Sequence, residues 1–160
     1  MQGRSCRIKP PVVKLPNNMG NVFILVAEDD ADDRFLIQTA FDEKGYNDRI
    51  QFVENGVELL SFLDSMEERL EEGEFPGFIL LDLNMPKKDG REVLKELKQH
   101  HLYKRIPVVI FTTTNNETEI KRCYELGANT YVVKPANFDM LLSVLSDIRN
   151  YWLQTASIPH

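Results

Sequence analysis

The sequence predicts an α/β fold, a doubly wound parallel sheet of five strands with helices on both faces, and three observations carry that expectation. Five short apolar runs recur: VFILVA (22–27), RIQFV (49–53), GFILLD (77–82), IPVVIF (106–111) and TYVVK (130–134). They are nearly continuous rather than alternating, the pattern of strands buried on both faces. Helix-period segments separate them, and strict alternation of strand and helix joins parallel strands through crossovers.

The first 20 residues hold Pro10, Pro11 and Pro16, the turn-like NNMG and no apolar period, so they read as an irregular extension. The folded unit is expected over 21–153, with 154–160 as a tail. After the first strand, 31–45 reads as a helix stopped by Gly45. After the second, Asn55 is the expected N-cap of a helix whose core stripe is Leu59, Leu63, Met66 and Leu70. The stretch SMEERLEEGEFP then reads as an acidic lengthening of the connection into the third strand. Residues 90–100 and 116–126 supply two more helices, the latter stopped by Gly127. Asn137 is the expected cap of the last, with the stripe Leu141, Leu145, Ile148 and Trp152. That segment also carries Phe138, Leu142, Val144 and Tyr151, more apolar surface than one buried face absorbs, which predicts a homodimer through the last-helix region.

With 160 residues and 42% hydrophobic content, the chain supports one sizeable core. Its apolar runs fall far short of the roughly 20 residues of a membrane helix, and no signal core opens it, so a soluble cytoplasmic protein with no membrane partner is expected. Cys6 and Cys123 lie in unlike contexts and form no CxxC pair, so both are expected to be free thiols. The first 20 residues carry Arg4, Arg7, Lys9 and Lys14 with no acid, so the net charge of −6 leaves −10 on the rest. An acidic body disfavours nucleic acid as a partner.

In a sheet of this class, ligands sit outside the carboxyl ends of the strands. Glu28, Asp29 and Asp30 follow the first strand; Asp82 ends the third, with Asn84 behind it. Thr112, Thr113 and Thr114 follow the fourth, and Lys134 ends the fifth, before Pro135. Carboxylates held close together repel and stay ionised only beside a cation. Oxygen ligands with no His or Cys favour Mg²⁺ or Mn²⁺. A lysine and a threonine hydroxyl added to that set suit a group with several anionic oxygens, a phosphoryl group. Taken singly, Asp29 or Asp30 reads as a helix cap and Lys134 as a solvated lysine; their convergence on one edge points to a site.

The segments ILVAEDDADD, ILLDLNMPKKDG, VVIFTTT and YVVKP, in that order and spacing, resemble the CheY-like receiver domain of bacterial two-component response regulators, from about Val22 to Trp152. DLNMPKKDGREVL, RIPVVIFTTTNN and YWLQTASIP are similar in particular to the single-domain regulators that partner phytochrome histidine kinases. The resemblance implies a flavodoxin-like sheet of order 2-1-3-4-5 and a phosphoprotein that signals by a conformational switch and protein docking. It implies that Asp82 accepts a phosphoryl group from a histidine kinase, a phytochrome being the candidate. Asp29 and Asp82 would bind the metal directly with the Asn84 main-chain carbonyl, and Glu28 through water, although the run of three acids leaves the register open by one residue. Thr112 and Lys134 would bind phosphoryl oxygens, Tyr131 would be the switch aromatic, and the bond before Pro135 would be cis.

Such a protein is not an enzyme in the ordinary sense, since it assists its own phosphorylation and dephosphorylation. Only eight residues follow Trp152, which leaves no room for an output domain, so the output is expected to be docking on an unidentified downstream protein. Two alternatives are an aspartate-nucleophile phosphatase of the haloacid dehalogenase class, which needs an acid where Asn84 stands, and an inactive receiver-like module, which needs a broken site. His100 and His101 follow a helix near its C-terminus, where positive charge suits the dipole, and are not read as phosphotransfer histidines.

Overall fold

A computed structural model of the chain describes residues 22–159. The proline-rich extension, with Cys6, lies outside them, as does His160. Strands β1 (Val22–Ala27), β2 (Ile50–Val53), β3 (Phe75–Leu81), β4 (Val108–Thr112) and β5 (Thr130–Val133) form one sheet in the order β2-β1-β3-β4-β5, every pair parallel. The expected fold class and strand order are both present.

The sheet divides the core into two layers, because successive side chains of a strand point to opposite faces. Phe23, Leu25 and Ala27 of β1 join Ile79 and Leu81 of β3 on one face; Ile24 and Val26 join Phe78 and Leu80 on the other. The first face is covered by α2 (Gly56–Ser65), α3 (Glu67–Glu71), α4 (Gly90–Gln99) and α5 (Glu117–Glu125). The second is covered by α1 (Ala31–Glu43) and α6 (Phe138–Asn150) through Ile37, Phe41, Leu141, Leu145 and Ile148. All seven residues of β3 are buried, which is why its sequence is apolar without a break. Burying each of its Phe, Ile and Leu side chains contributes about 1.5–3 kcal/mol.

Asn55 and Asn137 cap α2 and α6 as expected, accepting from the backbone N–H of Glu58 and Met140. Gly45 and Gly127, at φ +74° and +108°, follow the ends of α1 and α5. The stripe Leu59, Leu63, Met66 and Leu70 is buried, but not on one helix: the backbone breaks at Met66 (φ −117°, ψ 22°) between α2 and α3. The acidic stretch thus forms α3 and then enters β3 at Phe75, with Gly77 as a bulge where the β1–β3 register shifts.

The last stripe also departs from expectation. Leu141, Leu145 and Ile148 are buried, but a π-helical turn over Tyr151–Thr155 inserts a residue into the helical phase, so Leu153 takes the buried place expected of Trp152. Trp152, Phe138, Leu142 and Val144 are half-buried against the same layer, so α6 absorbs more of its apolar surface than its period suggests. Cys123 is a buried free thiol. Among the described residues no helix is long and apolar enough to cross a membrane.

Candidate functional site

The chain leaves β1 and β3, neighbours at the centre of the sheet, in opposite directions, and a crevice opens at their carboxyl ends. Glu28 extends β1 by one residue, its N–H donating to the Val53 carbonyl at 3.0 Å, and its side chain is only 3% exposed. The Arg34 guanidinium donates to the Glu28 carbonyl at 2.8 Å and fixes the turn from above. Asp29 is exposed, and Asp30 is the N-cap of α1, accepting from the N–H groups of Asp32 and Asp33. One acid of the run thus serves the helix. The other two face Asp82.

Asp82 follows β3, its N–H donating to the Ala27 carbonyl at 3.1 Å, and is 7% exposed. The loop behind it turns sharply into α4, where the Gly90 N–H donates to the Leu83 carbonyl at 2.9 Å. A Cβ at Gly90 would collide with the Asp82 carbonyl and Leu83 Cα, so this glycine permits the close approach that holds the loop under the site. From β4, Thr112 is fully buried. Thr114 Oγ1 lies 3.4 Å from Asn84 Nδ2, which joins the loops after β3 and β4.

Lys134 follows β5, its N–H donating to the Thr112 carbonyl at 2.8 Å. Its ammonium donates to Glu28 Oε1 at 2.6 Å, Asp33 Oδ2 at 3.1 Å and Asp82 Oδ2 at 3.4 Å. Burial opposes that charge, but the bond to Glu28 and the charge of Asp82 outweigh it and hold the ammonium above the usual lysine range. Burial in turn pushes the Glu28 carboxyl up to about 7, against the hydrogen bond from Lys134 and with the repulsion of Asp82.

Glu28, Asp29 and Asp82 each offer a carboxylate oxygen within 4.8 Å of the others. Three hard oxygen donors, one of them open to water, fit a hydrated divalent cation such as Mg²⁺ or Mn²⁺. Asn84 lies two residues beyond Asp82, on the same loop. The Tyr131 hydroxyl donates to the Thr114 carbonyl at 2.8 Å, and its half-buried ring packs against the core layer under α5.

One expectation fails here. Among the described residues no peptide bond is cis, so Lys134–Pro135 is trans. The trans isomer is the intrinsic preference, and Lys134 reaches the acids without the alternative because its backbone is already paired to β4. Sequence reasoning also missed two residues. Asp33 was hidden because any acid in the first turn of a helix suits the helix dipole; Arg34 offered no signal at all.

The sequence profile described as "Response regulator receiver domain" matches residues 24–146. The chain belongs to the response regulator receiver family. Response regulator Rcp1 of Synechocystis sp. is 39% identical over 143 residues, 89% of this receiver chain and 96% of the relative. The crystal structure of the Mn²⁺-bound form of Rcp1 superposes with a TM-score of 0.75 at 40% identity, covering 87% of this chain and 99% of that one. The phosphorylated cyanobacterial phytochrome response regulator RcpA gives a TM-score of 0.76 at 40% identity, covering 86% and 97%. This receiver is therefore a two-component response regulator of the CheY-like class, similar to phytochrome-associated members.

Proposed function

We propose that Asp82 is the phosphoacceptor, taking a phosphoryl group from the histidine of a kinase. The observation that carries this reading is the Lys134 ammonium, within 3.4 Å of a carboxylate that is buried at a strand end. In the transfer, an Asp82 oxygen attacks phosphorus as the bond to the donor nitrogen breaks, and charge spreads over the equatorial oxygens. Lys134 pairs with one of them and the Thr112 hydroxyl donates to another. Asp29, Asp82 and the Asn84 carbonyl would hold a divalent cation, Mg²⁺ or Mn²⁺, directly, with Glu28 acting through water. That cation would neutralise the acids and polarise the phosphoryl oxygens.

The phosphatase alternative lacks its second acid, since residue 84 is Asn. The inactive-module alternative lacks its broken site. Intact mass after acetyl phosphate and Mg²⁺ is expected to show one added phosphoryl group, absent in Asp82→Asn. A label that survives the substitution refutes the assignment.

Drawing Thr112 toward the phosphoryl group would free space for Tyr131 to turn inward and alter the surface over α5 and α6. The similarity to RcpA supports a phytochrome histidine kinase as donor, in the cytoplasm, and self-association through the last-helix region fits the exposure of Met140 (59%) and Tyr151 (52%). Signalling would then proceed by docking on a downstream protein. Sedimentation is expected to show a dimer that Tyr151→Asp loosens; a monomer at high concentration, with and without phosphodonor, removes the dimer.

A further inference from the structure

An ammonium has three protons to donate, and each proton of Lys134 has a carboxylate acceptor: Glu28 at 2.6 Å, Asp33 at 3.1 Å and Asp82 at 3.4 Å. A phosphoryl oxygen arriving at Asp82 gains a bond from this lysine only if one acceptor gives way. The three differ in what release costs. Glu28 has the shortest bond and a side chain 3% exposed, so without the lysine it would be a buried anion short of a partner. Asp82 carries the incoming group and cannot leave. The Asp33 side chain is 39% exposed and lines a cleft of about 300 Å³ between α1 and α6, so water can take over its hydrogen bond. It also lies outside the cluster of acids placed to share a cation.

We propose that Asp33 is a positioning residue: it holds Lys134 in the unphosphorylated protein, competes with the phosphoryl group for the ammonium, and is the acceptor displaced when that group binds. This inference rests on the phosphoryl reading of Asp82. Two consequences follow from the chemistry. An asparagine at 33 offers only a neutral carbonyl to the ammonium, a weaker competitor, so the phosphorylated form gains relative to the free one. Removing the negative charge does nothing to improve cation binding. Loss of Asp33 should therefore move phosphoryl binding up without moving metal binding up, whereas mere damage to the site lowers both.

The test is calorimetric titration of the full chain with beryllofluoride, a phosphoryl stand-in, in saturating Mg²⁺, and with Mg²⁺ alone. Asp33→Asn should bind beryllofluoride about two- to five-fold more tightly, the range of a partly exposed ion pair, with Mg²⁺ bound no more tightly. Asp33→Glu, which restores the charge, should return toward the wild type. Asp32→Asn removes a first-turn acid with no bond to Lys134 and should leave the beryllofluoride affinity unchanged. Unchanged or weaker beryllofluoride binding by Asp33→Asn overturns the proposal, and so does an equal gain in Asp32→Asn. A wild type that takes up Mg²⁺ but not beryllofluoride removes the phosphoryl reading itself and this inference with it.

Discussion

Two half-buried lysines sit at opposite edges of the same sheet, and their surroundings differ in kind. At the carboxyl edge, Lys134 meets three carboxylates and its ammonium is held above the usual range. At the amino edge, Lys98 donates only to neutral oxygens: the carbonyls of Ile106 at 2.9 Å and Lys104 at 3.3 Å, and Asn129 Oδ1 at 3.0 Å. Burial pushes its ammonium down. Lys98 ties the end of α4 to the strand starts, with Asn129 Oδ1 also accepting from the Val108 N–H at 2.8 Å. One lysine offsets an excess of negative charge; the other completes backbone hydrogen bonding. A lysine near a sheet edge is thus no sign of a site until its acceptors are known.

Substitution by methionine should separate the two roles. The largest effect expected is on phosphotransfer in Lys134→Met: if Asp82 accepts a phosphoryl group beside this ammonium, the rate with acetyl phosphate should fall by about 10²-fold, the scale of a lost electrostatic stabiliser. Lys98→Met should leave that rate within about two-fold. Its effect should appear in thermal unfolding as a loss of about 1 kcal/mol, because the carbonyl of the buried Ile106 loses its side-chain donor. A phosphotransfer defect in Lys98→Met comparable with that of Lys134→Met would erase the distinction.

The sheet was legible because every strand leaves an apolar run, and the two-faced burial of β1, β3 and β4 makes those runs continuous. The convergence of Glu28, Asp29, Asp82 and Lys134 on one edge could be read because the fold class says which strand ends face the crevice. Details that depend on helical phase could not. The four apolar positions from Leu59 to Leu70 are buried whether or not the helix breaks at Met66, so the sequence pattern is the same in both cases. The π-turn exchanges Trp152 for Leu153 without a signal, since both are large and apolar. Asp33 was invisible for a related reason: the choice between dipole and lysine depends on where the fifth strand ends relative to the first helix, a contact between residues about a hundred positions apart. The trans bond at Pro135 departs from what the resemblance implied, not from anything in the composition.

If the acids after β1 and β3 form a cation site that prepares Asp82 for a phosphoryl group, the opposite edge of the sheet should not respond to the cation. Titration with Mg²⁺, followed residue by residue through backbone amide NMR shifts, tests it most directly. Saturable shifts are expected at Glu28, Asp29, Asp82 and Asn84, with unmoved amides at Val108 and Asn129 beside Lys98, and loss of the response in Asp29→Ala but not in Asp30→Ala. Shifts centred elsewhere, or a response that depends on Asp30 rather than Asp29, would contradict it.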